Sequence, residues 1–226
     1  VHFGDVALIP VARIERPESL KDLAYRRIRD RLVAGELRAD SVYSAIEFAQ
    51  GLGVSRTPVR EALLQLASEG FLEVIDGRGF RVRDYSEKEI RDIFETRRLI
   101  EIYMVERAAE GLSAEELAHL DRNQKTLAER ARKSDPVSFL ETDREFHMSL
   151  VRRNGNDLLV SLMDRIRNHM AIFGLRALSR EGRIDQVVAE HGRVLKALRR
   201  HEPAEAVRAM RDHLLATEKH VLAGEL

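Results

Sequence analysis

The chain has 226 residues, 44% of them hydrophobic and 34% charged, and its 38 basic residues balance 38 acidic ones. That composition describes a soluble, helix-rich globular protein with room for two domains and a core, and excludes a disordered chain. The absence of cysteine excludes disulfides and thiolate metal sites and fits a reducing, cytoplasmic setting, and no apolar run is long enough to span a membrane.

Residues 1–17 carry an apolar patch with no basic segment before it, and read as an N-terminal arm rather than a signal peptide. Residues 18–84 are punctuated by glycine. "SLKDLAYRRIRDRLVAG" places Leu20, Leu23, Ala24, Ile28 and Leu32 at helical spacing, with Ser19 and Asp22 as a capping start and Gly35 as the stop. "SAIEFAQGLG" repeats the pattern in short form, with Ser44 and Glu47 as its capping pair. A third helix begins near Ser55 or Thr57, tolerates Pro58 in its first turn, and ends at Gly70. "FLEVIDGRGFRVRDY" then alternates on both sides of Asp76-Gly77, which predicts a β-hairpin.

Three helices followed by a hairpin is the order of a winged helix-turn-helix, in which the third helix enters the major groove and the hairpin forms the wing. Residues 1–84 hold thirteen basic and thirteen acidic residues, so any affinity for DNA must come from where the arginines sit. Ser55, Arg56, Thr57 and Arg60 cluster at the start of the third helix. Free backbone N–H groups favour phosphate there, and arginine reads guanine through two hydrogen bonds. Gly77, Arg78 and Gly79 at the wing tip allow close backbone approach and deliver one cation. A helical domain with an ordinary surface hairpin is the plainer alternative.

At "GVSRTPVREALLQLASEGFLEVIDGRGFRV" the sequence resembles the N-terminal domain of the GntR family of bacterial transcription regulators, from about Leu20 to Val82. The resemblance implies that Arg56, Thr57 and Arg60 contact operator bases or phosphates and that Gly77 meets DNA from the wing. Two features depart from the family pattern. Ala45 and Ile46 replace an acid–basic pair before the second helix's "ELA", which removes a usual DNA contact. Ala39-Asp40 replaces Pro-Gly between the first two helices.

From residue 85 to 226 the pattern is helix after helix, with no strand signal. Six amphipathic helices are expected near 86–110, 114–132, 136–153, 157–177, 184–200 and 203–223, broken at Gly111, Ser134-Asp135-Pro136, Asn154-Gly155-Asn156, Gly182 and Pro203. The predicted fold is therefore mainly α: a winged helix-turn-helix with a small β-hairpin wing, then an all-α six-helix bundle.

Polar residues interrupt the apolar stripes of that bundle. Asp143 and His147, four apart in "ETDREFHMSL", share a face with Phe139, Phe146 and Leu150. His191 lies among Val187, Val188, Val194, Leu195 and Leu198, and His213 lies on the stripe of Ala206, Met210 and Leu214. His119 and His201 have polar surroundings and read as surface residues. One histidine on an apolar face is more often a satisfied core residue than a ligand. Three helices each aiming an imidazole inward, one with a carboxylate a turn away, suit a divalent transition metal with positions left for water or ligand. Zinc is the first choice, with nickel and manganese as alternatives.

This half is similar to the FCD sensor domain of the FadR-type branch of the same family. The resemblance implies a metal held by Asp143, His147, His191 and His213, and a small organic acid whose carboxylate completes the coordination. It also places Arg97, between Ile93, Ile100 and Met104, against the effector, although a salt bridge to a neighbouring acid would equally explain that arginine. His169 has no ligand counterpart. The expected protein is a homodimeric regulator, a repressor in preference to an activator, on a near-palindromic double-stranded DNA operator. Two other readings are a metal-dependent hydrolase fused to a DNA-binding domain and a regulator whose metal is purely structural.

Overall fold

The computed structural model describes residues 18–38, 41–178 and 182–223. The N-terminal arm, the Ala39-Asp40 substitution and the last three residues lie outside them.

Helix α1 (Leu20–Val33) starts at Ser19, whose hydroxyl accepts the Asp22 N–H at 3.1 Å. Helix α2 (Ala45–Leu52) begins with a full capping box between Ser44 and Glu47, and ends on Gly53 in the left-handed region. Helix α3 (Arg56–Ser68) buries Val59, Ala62, Leu63 and Leu66 against α1 and α2. Ser55 is its N-cap by position but makes no side-chain capping bond, so the first amides of α3 are not capped by it.

The hairpin consists of β2 (Leu72–Ile75) and β3 (Gly79–Val82), joined through Asp76-Gly77-Arg78 with Gly77 at φ 68°. One element was not expected. Val42–Tyr43 form a short strand, β1, which pairs antiparallel with β3 and gives a three-stranded sheet in the order β1-β3-β2. Two residues carry no alternation, so nothing in the sequence marks them as a strand. The pairing also corrects the role given to Gly79. Its backbone approaches Tyr43 rather than the open wing tip, and a Cβ there would sit 2.4 Å from the Tyr43 carbonyl oxygen.

The bundle comprises α4 (Glu87–Glu110), α5 (Ala114–Arg132), α6 (Pro136–Arg152), α7 (Asp157–Leu178), α8 (Arg183–Arg199) and α9 (Pro203–Ala223). Ser86 and Ser113 open α4 and α5 with capping boxes, and Asp135 caps α6 ahead of Pro136. The main core packs α4, α5, α6, α8 and α9 through residues such as Val105, Leu120, Phe146, Val194, Leu198 and Leu214. Among the described residues a seam joins the two halves: Val137 and Leu140 of α6 and Ala171 and Ile172 of α7 pack on the winged-helix core. Arg29 of α1 reaches across it to Glu141 of α6 at 3.0 Å. His169, set aside as a ligand, belongs to this seam, where it pairs with the Tyr85 hydroxyl and lies against Gly70.

Candidate metal centre and adjoining cavity

Asp143 and His147 of α6, His191 of α8 and His213 of α9 converge in the bundle interior. One ligand atom from each can be chosen so that all four lie within 4.8 Å of one another, and all four residues are buried. The i, i+4 spacing on α6 puts Asp143 and His147 on one face, and α8 and α9 pack together to bring the other two imidazoles opposite.

Each of two histidines is oriented by a carboxylate the sequence reading did not single out. His147 Nδ1 pairs with Glu101 of α4, and His213 Nδ1 lies 2.8 Å from Glu190 Oε2 of α8. Burial alone would raise Glu101, but Arg97 and His147 beside it hold it well below the usual carboxylate range. Glu190 is likewise brought down to about 2, since its bonds to His213 and Arg183 outweigh desolvation. Both acids are therefore ionised acceptors, and each Nδ1 must carry the proton. Desolvation pushes His147 down to about 3 and His213 to about 4, so both rings are neutral near pH 7.

The consequence is chemical. With Nδ1 protonated and the rings neutral, both Nε2 atoms are bare lone pairs, and they face each other at 3.3 Å. Asp143 Oδ1 lies 3.8 Å from His147 Nε2 and 3.2 Å from His191 Nε2, yet neither ring nitrogen of His191 is in hydrogen-bond geometry with any partner. Desolvation works against the charge on Asp143, but Arg167 and the neighbouring imidazoles keep it well below its usual value. Buried acceptors facing acceptors are costly unless a cation sits among them. The donor set, three imidazoles and one carboxylate, fits a divalent transition metal. The Glu101–His147 and Glu190–His213 pairs are the outer partners that such ligands normally have.

Three buried arginines complete the electrostatics. Arg97 Nε donates to Glu101 at 2.7 Å, the salt bridge that competed with its effector role, while its Nη2 has no partner. Arg167 of α7 pairs with Asp143 Oδ2. Arg183, at the start of α8, donates to both Glu190 oxygens at 2.7 and 3.0 Å and to Thr217 Oγ1 at 2.8 Å. All three line a cavity that reaches Asp143 and His213 on its inner side. Its volume of about 50 Å³ has room for a few waters or a very small ligand. Arg167 and Arg183 were not anticipated. Arg183 sits beside the Gly182 break and reads as loop, and Arg167 follows Ile166 in a stripe whose polar member seemed to be His169.

In the N-terminal half Ser55, Arg56, Thr57, Arg60, Gly77 and Arg78 are all exposed. The first four lie at the free end of α3, and the last two at the hairpin tip. Ile46, at one of the positions that depart from the family pattern, is exposed on α2.

A winged helix-turn-helix with an outward α3 terminus, joined to a helical bundle with an arginine-lined cavity, defines a two-domain DNA-binding regulator. Comparison with known proteins gives the family. Residues 20–82 match the bacterial regulatory proteins of the gntR family and residues 92–216 match the FCD domain, so the chain belongs to the GntR family with an FCD domain. It is 28% identical over 216 residues to the transcriptional regulator LutR of Bacillus subtilis, covering 84% of this chain and 95% of that one. It is 27% identical over 168 residues to the gluconate operon transcriptional repressor of Bacillus licheniformis, covering 74% and 68%. The solved structure of Escherichia coli McbR/YncC superimposes with a TM-score of 0.76 at 22% identity, covering 91% of this chain and 98% of that one, which is a likeness of fold. The relatives are named as transcriptional regulators, and the chain is a regulator of transcription, not an enzyme. The fused-hydrolase reading falls on that ground. No helix among the described residues is long and apolar enough to cross a membrane.

Proposed function

We propose that the protein is a homodimeric, cytoplasmic repressor whose affinity for a near-palindromic operator is set by a small carboxylate bound at a divalent metal in the bundle. The observation that carries this reading is the cage of buried acceptors formed by Asp143, His147, His191 and His213, opening on an arginine-lined cavity. Those four residues would hold the metal, which supplies a Lewis-acidic anchor for a carboxylate. Arg97, through its unpartnered Nη2, would hold the same acid. Zinc suits the donor set best, with nickel or manganese as substitutes.

Ser55, Arg56, Thr57 and Arg60 would contact operator bases and phosphates, with Gly77 and Arg78 reaching from the wing. Support comes from their exposure and from the absence of ion-pair partners for Arg56, Arg60 and Arg78 among the described residues. Leu99 and Tyr103, one turn apart on α4 and 72% and 52% exposed, support a face that a second copy covers. The repressor sense rests on kinship with the gluconate operon repressor.

Two measurements test the proposal. Protein purified without chelator should hold close to one divalent ion per chain by elemental analysis, and the His191→Ala, His213→Ala double variant should hold none. Arg56→Ala with Arg60→Ala should abolish the operator gel shift while the helical circular dichroism stays intact. Metal-free wild-type protein of unchanged thermal stability would sink the metal reading, and unchanged operator binding would sink the DNA contacts.

A further inference from the structure

The cavity beside the candidate metal centre is not built by the bundle alone. Arg29 and Val33 of α1, in the DNA-binding half, line it together with Arg97, Asp143 and His213. Arg29 is held there by Glu141, which lines the same cavity, at 3.0 Å. That pair joins the two halves at the rim of the cavity. Its side chains are 20% and 49% exposed, so it is accessible to a solute rather than locked in the core.

The charges around the inner cavity are informative. Three buried guanidiniums, Arg97, Arg167 and Arg183, are matched by three buried carboxylates, Glu101, Asp143 and Glu190. Guanidiniums and carboxylates therefore balance one to one before any ion enters. A divalent cation would leave two positive charges uncompensated in a low-dielectric pocket, and a monocarboxylate would cancel only one of them. Two further guanidiniums line the cavity away from the metal: Arg144, held by Asp164 at 2.6 Å, and Arg29 at the rim, whose bond to Glu141 is the longer at 3.0 Å and the easier to exchange. A guanidinium binds a carboxylate through two parallel N–H···O bonds, and Glu141 now uses only Nη1.

We infer that the ligand is a small dicarboxylate, one carboxylate directed to the candidate metal centre and the other taken by Arg29 of α1 in place of Glu141. Arg29 thereby becomes a ligand-binding residue contributed by the DNA-binding domain. The acid bridges the seam, and its binding changes an ion pair that ties α1 to α6. A ligand that touches both halves has the differential contact that any shift of the DNA-binding arrangement requires. The inference rests on the effector reading proposed above.

The test is isothermal titration of zinc-loaded full-length protein with acetate, malonate and succinate. Malonate or succinate should bind the wild type about tenfold or more tightly than acetate, which is what one additional charged hydrogen-bonded contact is worth. Arg29→Gln should remove that advantage and leave acetate binding as it is. Glu141→Gln, which frees Arg29 from its competitor, should tighten the dicarboxylate severalfold and keeps the question answerable if Arg29→Gln folds poorly. Dicarboxylate binding that neither substitution changes overturns this inference and leaves the effector reading standing. If the zinc-loaded wild type binds none of the three acids, both fall.

Discussion

Replacing Glu101 with glutamine tests the carboxylate–histidine logic of the centre most directly. Glu101 is fully enclosed and uses both oxygens, one on Arg97 Nε at 2.7 Å and the other on His147 Nδ1. Glutamine keeps the shape but offers a single acceptor oxygen, so either Arg97 or His147 loses its partner, and Arg97 becomes a buried cation without a counter-charge. Breaking a buried pair by removing one member costs about 3–5 kcal/mol. The retained amide contact puts the expected loss near the lower end, a fall in melting temperature on the order of 10 °C. For the metal, loss of such an outer partner lowers affinity by about 10–100-fold. Competition against a chromophoric chelator measures the second effect, and calorimetric melting of metal-free protein measures the first. The two readouts separate the roles: a structural salt bridge alone would lower the melting temperature and leave metal affinity as it was. Wild-type values for both would refute the assignment of Glu101 as the group that orients His147.

Two further outcomes follow from local geometry and titration. Gly79→Ala should destabilise the winged-helix domain by about 1–3 kcal/mol, because φ is +132° and a Cβ would meet the Tyr43 carbonyl at 2.4 Å; hydrogen exchange of β1 and β3 reads the loss, and unchanged protection would mean that β1 does not pair as described. Metal-free protein should lose stability as pH falls. The folded values of His147 and His213, about 3 and about 4, lie below the ordinary 6.5, so between these limits the unfolded chain binds more protons than the folded one. The depressed carboxylates Glu101, Asp143 and Glu190 act in the same sense at lower pH. The melting temperature should therefore decline from about pH 6.5 downward, and a flat profile between pH 7 and 5 would contradict the burial of neutral imidazoles.

What the sequence disclosed and what it withheld have the same physical origin. Helix boundaries were legible because Ser44, Ser86, Ser113 and Asp135 each cap a helix through a bond to a backbone amide three residues on, a local interaction. Asp143, His147, His191 and His213 stood out because each is a polar residue inside an apolar stripe of its own helix. Glu101, Glu190, Arg167 and Arg183 did not, although they are as buried, because each is explained only by a partner. Arg97 and Glu101 at i, i+4 look like any surface helix pair until α4 is seen packed in the core. Glu190 directly precedes His191 in sequence, yet it serves His213 on the next helix. Arg183 meets Glu190 two turns along α8. Strand β1 was missed for a related reason, since a two-residue strand exists only through its pairing with β3.

The same distinction changes what Arg97 means. The sequence offered two exclusive roles, an effector contact or a salt bridge. The structure joins the salt bridge to the candidate metal centre: Arg97 holds Glu101, Glu101 holds His147, and the unpartnered Nη2 of Arg97 belongs to a residue that lines the cavity. An anion taken up by that Nη2 would compete with Glu101 for the same guanidinium and so reach the basicity of His147 through two contacts. Ligand and metal affinities should then be coupled through this relay, and by linkage the coupling must be the same whichever is added first. Titrating zinc with and without succinate measures it in the wild type. Glu101→Gln should diminish the coupling as well as the affinity, whereas a coupling of undiminished size in that variant would mean that the two ligands communicate by direct contact alone.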